Sequence, residues 1–235
     1  MNNLRDYIKS KKPDIDDKSL YYFTNYFSYI NKNGLIPDGV DFDEILDNAL
    51  RFSKIVFYKE GDPICGKIGN SAKGVRWPED NTLYVRDNLD DELKEMVIYH
   101  EIHHAAQTNK ETNQVGIQTD NFGRLIMEAQ TEYLAERVYS NVHGIQFEER
   151  DIPSEQLRMM SGGTVRSSLH NYEHYDNLLT KLAIMLGVDK EYFVSINFLN
   201  DGRGIKDLEN RINKLINEYD FNFTFLDLLY SLDYI

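Results

Sequence analysis

Cysteine, proline and positive charge are all scarce in this 235-residue chain: one Cys, five Pro, and 26 Lys plus Arg against 39 Asp plus Glu. A single thiol, Cys65, excludes an intrachain disulfide framework and gives no reason to invoke an oxidising compartment. It reads as a buried or inert thiol rather than a nucleophile. The formal net charge of -13 argues against a nucleic-acid partner, because phosphate binding needs a basic footprint. The acid excess is read as a solubility feature. Residues 1–13 are charged and lack the apolar run of roughly 7–15 residues that a secretory signal carries. Nowhere do the ~18 consecutive apolar residues of a membrane helix occur. These absences lead to the expectation of a cytoplasmic protein with neither a nucleic-acid nor a membrane partner.

What the chain does have is core-forming material, with 41% apolar and 12% aromatic residues. That suffices for one large domain or two small lobes sharing a cleft. Asp17 and Ser19 can cap a helix in which Leu20, Phe23, Phe27 and Ile30 recur at helical spacing up to Gly34. The aromatic stripe of Tyr21, Tyr22, Phe23, Tyr26 and Phe27 reads as core and core margin. A second short helix begins at Asp41. Lys54–Lys59 and Thr82–Arg86 are β-branched and aromatic and read as strands, with a Gly-rich stretch from Gly61 to Pro78 suited to hairpin turns or a mobile loop. Asp90 opens a helix that runs to about Thr108, its early acids suiting the positive end of the helix dipole. Further helices are expected over Phe122–Ser140, Ser168–Leu186, Lys190–Phe198, Ile205–Glu218 and Phe223–Leu232. The layout is α+β: a small N-terminal sheet and a central helix, followed by a mostly helical C-terminal half. The division is placed in the Asn109–Asp120 loop, giving lobes over 1–110 and 111–235.

The central helix carries His100-Glu101-Ile102-His103-His104. His100 and His104 are four residues apart, so their imidazoles leave one face of the helix, one turn apart. Two neutral nitrogen donors so placed suit a tetrahedral Zn²⁺. Glu101 leans over the same site, where it can take a proton from metal-activated water and pass it to a leaving group. His103 is read as exposed or as supporting the site without binding metal. Zinc also needs a third protein ligand. A metzincin pattern would put Gly at 107 and His at 110, whereas this chain has Gln107 and Lys110. An alternative is a carboxylate from a following helix, and Glu128-Ala129-Gln130-Thr131-Glu132 supplies candidates.

The two segments together, Glu128 lying 24 residues after His104, resemble the gluzincin group of zinc peptidases. The cytosolic ImmA/IrrE-type metalloproteases are similar over roughly Thr82–Tyr139. The resemblance implies a zincin-like fold with Glu128 as the third zinc ligand and Glu132 as the carboxylate that hydrogen-bonds a ligand histidine. The spacing agrees with such a pair, since Glu128 and Glu132 share a helix face and metal-bound His usually donates its other N–H to a carboxylate. Glu132 and His143 stay open as alternative ligands. Bulky His103 departs from the group, where a small residue is common before the second ligand.

Peptidases of this kind add a Tyr, His or Arg to steady the oxyanion. Tyr172 and His174 are the candidates, and the strand Thr82–Arg86 could pair with an extended peptide. The expected activity is zinc-dependent hydrolysis of peptide bonds in a peptide or protein substrate. The alternatives are a zincin-fold regulatory protein without turnover, and a zinc hydrolase of a non-peptide amide or ester.

Overall fold

Helix formation in the first third follows from caps and apolar spacing. In the computed structural model, which describes residues 4–69, 72–117, 121–145, 173–199 and 201–219, Leu4–Lys11 forms α1 and Asp17–Lys32 forms α2. The cap of α2 is Asp16, one residue earlier than expected, and its carboxylate accepts from the amides of Lys18 and Ser19. Leu20, Phe23, Tyr26, Phe27 and Ile30 are buried, while Tyr21 stays at the exposed edge of the aromatic stripe. Gly34 takes a φ of 62° just past the helix, a left-handed turn conformation that costs other residues more. Asp41 caps α3, Phe42–Leu50.

Both expected strands form: β1 is Lys54–Tyr58 and β3 is Thr82–Arg86. The stretch between them holds more order than turns or a mobile loop. It contains a single helical turn, α4 (Cys65–Ile68), and a third strand, β2 (Gly74–Trp77). The sheet order is β1-β3-β2, with β1 parallel and β2 antiparallel to β3. Val56 and Val75 therefore flank Tyr84 on either side. This corrects the reading of Thr82–Arg86 as a strand open to a peptide. Both of its edges are already paired, because Val75-Arg76-Trp77, with β-branched and aromatic residues, occupies the second one.

Asp90 caps α5, Asp91–Ala106, by accepting from the Leu93 amide at 2.8 Å. Almost the whole circumference of its second half is buried, including Ile98, Tyr99, Ile102, Ala105 and Ala106, as befits a helix wrapped by neighbours. It packs against α2, α3, β2, β3 and α6, which spans Asn121–His143. The loop between α5 and α6 folds back on itself through a Thr108–Val115 bridge. Beyond it lie α7 (Glu173–Leu186), α8 (Lys190–Asn197) and α9 (Arg203–Glu218). The expected helix Phe223–Leu232 falls outside the described residues.

The architecture is mixed α and β, mostly helical with one small three-stranded sheet among the described residues. One continuous buried cluster runs from Ile8 and Phe27 through Leu83, Ile98 and Ile102 to Leu134, Phe193 and Leu208, so both sides of the Asn109–Asp120 loop contribute to it. No described helix is long and apolar enough to cross a membrane.

Candidate metal centre

The site is built where α5 and α6 lie side by side. The helices run antiparallel, with Glu95 opposite His143, His100 opposite Glu132, and His104 opposite Glu128. This pairing brings residues 24 to 48 positions apart in sequence into direct contact.

Three donor atoms converge. His100 Nε2 and His104 Nε2 are 2.9 Å apart, and Glu128 Oε2 lies 3.3 Å from the first and 3.4 Å from the second. Zinc–donor bonds of ~2.0–2.1 Å at tetrahedral angles separate neighbouring donors by about 3.3 Å, so the triangle has the span of a zinc ligand set. The donor chemistry fits as well, since two imidazoles and a carboxylate are zinc's usual partners. Facing nitrogen lone pairs repel one another unless a proton or a cation lies among them. His100, His104 and Glu128 are the one cluster of this kind among the described residues.

On the far side of the His100 ring, Nδ1 lies 3.0 Å from Glu132 Oε2. Glu128 and Glu132 thus grip opposite nitrogens of one imidazole. Burial pushes the His100 ring toward neutrality, but the hydrogen bonds and charges of Glu128 and Glu132 outweigh it and hold its pKa well above the usual value. Burial pushes the Glu128 carboxyl up, yet His104 and His100 together hold it well below the usual carboxylate range. Two further buried atoms of the cluster, His104 Nδ1 and Glu132 Oε1, have no hydrogen-bond partner among the described residues. His143, the other candidate donor, lies against Glu95 at 3.1 Å, about 22 Å along α6 from Glu128 at the helical rise of ~1.5 Å per residue.

Glu101 projects toward β2 and is nearly enclosed, with 8% of its surface exposed. A Cβ added to Gly74 would lie 3.0 Å from Glu101 Oε1 and 2.4 Å from Val97 Cγ1. Only a residue without a side chain lets the strand pass this close to the carboxylate.

His103 is neither exposed nor part of the donor triangle. It is completely buried, because it points from α5 toward α2 and α6. Tyr26 Oη lies 2.5 Å from its Nδ1 and Gln130 Oε1 lies 2.6 Å from its Nε2. Burial pushes its pKa down to about 3, so the ring is neutral. Gln130 Oε1 only accepts, so Nε2–H donates to it and Tyr26 donates to Nδ1, with the Gln107 amide nitrogen 2.8 Å from the same Nε2. Gln130 in turn donates to Gln107 Oε1 and to the Met127 carbonyl. Gln107 and His103, the residues that depart from familiar zinc-peptidase patterns, are therefore partners in one buried network.

Of the other candidates, Tyr172 lies outside the described residues. His174 falls within α7, but its side chain lies outside them too. The residues that sequence reasoning missed are on or beside β2: Lys73, Gly74 and Arg76. Partial burial lowers the Lys73 ammonium's pKa against an opposing pull from Glu132. The alternation of Val75-Arg76-Trp77 was the available signal, hidden by the glycines before it. Comparison of the chain with protein-family models, curated proteins and solved structures found no match.

Proposed function

We propose that this protein is a zinc-dependent metallopeptidase of the zincin type, gluzincin-like in its ligands. The observation that carries the reading is the donor triangle of His100, His104 and Glu128, with edges of 2.9–3.4 Å, beside the enclosed carboxylate of Glu101. In this reading His100, His104 and Glu128 hold the ion, and Glu132 orients His100 through Nδ1. A zinc ion held there would supply a Lewis acid for the peptide carbonyl and would ease deprotonation of a water near neutral pH. Glu101 is the general base: its carboxylate takes a proton as the water oxygen bonds to the carbonyl carbon. The same proton passes to the departing amine nitrogen as the C–N bond breaks, returning Glu101 to its ionised state. The intact Glu101 favours turnover over a purely regulatory metal site, which would have no use for a base.

Two measurements test this. Purified protein should carry near-stoichiometric zinc that is lost in the His100→Ala/His104→Ala variant. Glu101→Gln should retain zinc but lose cleavage of an unbiased peptide library by about 10²-fold or more. A wild type without bound zinc, or equal cleavage by the wild type and Glu101→Gln, would overturn the reading.

A further inference from the structure

Strand β2 meets α5 through one face. Gly74 and Arg76 are two residues apart and pair with Val85 and Leu83, so all four side-chain positions lie on the buried side of the sheet. Gly74 rests against Val97 and Glu101. Arg76 continues along that face, its guanidinium carbon 5.0 Å from the Phe52 ring centroid. Its Nη1 is buried and has no hydrogen-bond partner among the described residues. Burial works against the charge on this guanidinium, as does Arg51, and the attraction of Glu101 works for it. Glu101 takes no side-chain hydrogen bond from any described residue, and it too is nearly enclosed. Each charge by itself would be expensive to bury, and the low dielectric that makes it so also strengthens their attraction.

We infer that Arg76 is a positioning residue for Glu101: the guanidinium on β2 holds the α5 carboxylate turned toward the attacking water. The inference rests on the peptidase reading above for the step it assists, while the attraction between the two charges, which make no direct ion pair in this structure, needs no metal. Arginine suits the task because its rigid, weakly hydrated fork keeps both charge and direction when enclosed against an aromatic ring. Gly74 completes the device, since any side chain there would lift β2 and carry Arg76 away from α5.

The test uses the full chain and has two arms. In the first, the metal-free wild type, Arg76→Ala, Glu101→Gln and the double variant are unfolded in urea. Arg76→Ala should lower the midpoint, and should lower it by half as much or less in the Glu101→Gln background; additive shifts would overturn the pairing. In the second, zinc-loaded proteins cleave a library-derived peptide. Arg76→Ala should lose at least about tenfold in kcat with KM within about twofold, at unchanged zinc content. Added guanidinium ion at low millimolar concentration should restore part of that loss, but none in the double variant. Arg76→Lys, which keeps the charge and serves if Arg76→Ala does not fold, should fall between wild type and Arg76→Ala. An unchanged kcat, or a loss confined to KM, would overturn the positioning role. A wild type that cleaves nothing would overturn the peptidase reading and the assistance to it, while the urea cycle separately decides whether Arg76 and Glu101 form a pair.

Discussion

His100 Nδ1 stands 3.0 Å from Glu132 Oε2, on the side of the ring away from His104 and Glu128. That contact leaves Glu128, and not Glu132, beside the two Nε2 atoms. Glu128 Oε2 reaches both Nε2 atoms, whereas Glu132 engages the nitrogen that faces away from them. The two glutamates, one helical turn apart, are thereby given different tasks.

Removing them should separate those tasks. Glu132→Ala should weaken zinc binding by about 10–100-fold, the usual cost of losing a carboxylate behind a ligand histidine, and should leave one site per chain. Glu128→Ala should weaken it further, because a donor itself is lost. Chelator competition with a zinc-sensitive dye ranks the two, and the reverse order would exchange their assignments.

The same pair predicts an unusual dependence on pH. In the metal-free protein the pKa of His100 is raised above its unfolded value of ~6.5, so its contribution is complete below that pH and disappears as pH rises through the folded value. Glu128 is depressed, so its contribution is present above the unfolded value of ~4.3 and disappears as pH falls. Chelator-stripped protein should therefore lose urea midpoint as pH rises from about 6.5 to 9, where ordinary carboxylates no longer titrate. Zinc binding must displace the His100 proton, so the gap between loaded and stripped midpoints should widen over the same range. A stripped midpoint that climbs with pH would contradict the His100–carboxylate pair.

Gly74→Ala should destabilise the protein by about 1–3 kcal/mol, the cost of forcing a methyl into filled space. The new carbon would meet Val97 Cγ1 at 2.4 Å, and Val97→Ala should return part of the loss in the double variant. Thermal unfolding of the three variants reads this directly; a neutral Gly74→Ala would mean that β2 does not press on α5.

Tyr26→Phe leaves His103 Nδ1 buried without its donor, which should cost about 1–3 kcal/mol. Zinc content should not change, since His103 faces Tyr26 and Gln130 and lies outside the donor triangle. Denaturation together with metal analysis checks both halves, and loss of zinc would place His103 closer to the metal than its network allows.

Local sequence alone determined the features that depend on short range. His100 and His104 share a face because they are four apart on one helix, and that helix is set by Asp90, its early acids and its apolar run. Strands β1 and β3 were legible for the same reason, through β-branched and aromatic runs a few residues long. Tertiary structure decided what depends on register between elements. The antiparallel packing of α5 on α6 chose Glu128 for the triangle, placed Glu132 behind His100 and sent His143 to Glu95. A helix pattern shows which residues share a face, not how far a neighbouring helix has slid along it. Likewise, spacing placed His103 beside the motif, and only the approach of α2 made it a buried, neutral partner of Tyr26. The His-Glu-x-x-His helix was thus legible from its own residues, while its surroundings were set by packing among segments far apart in the chain, such as those of Tyr26 and Phe198 around His103.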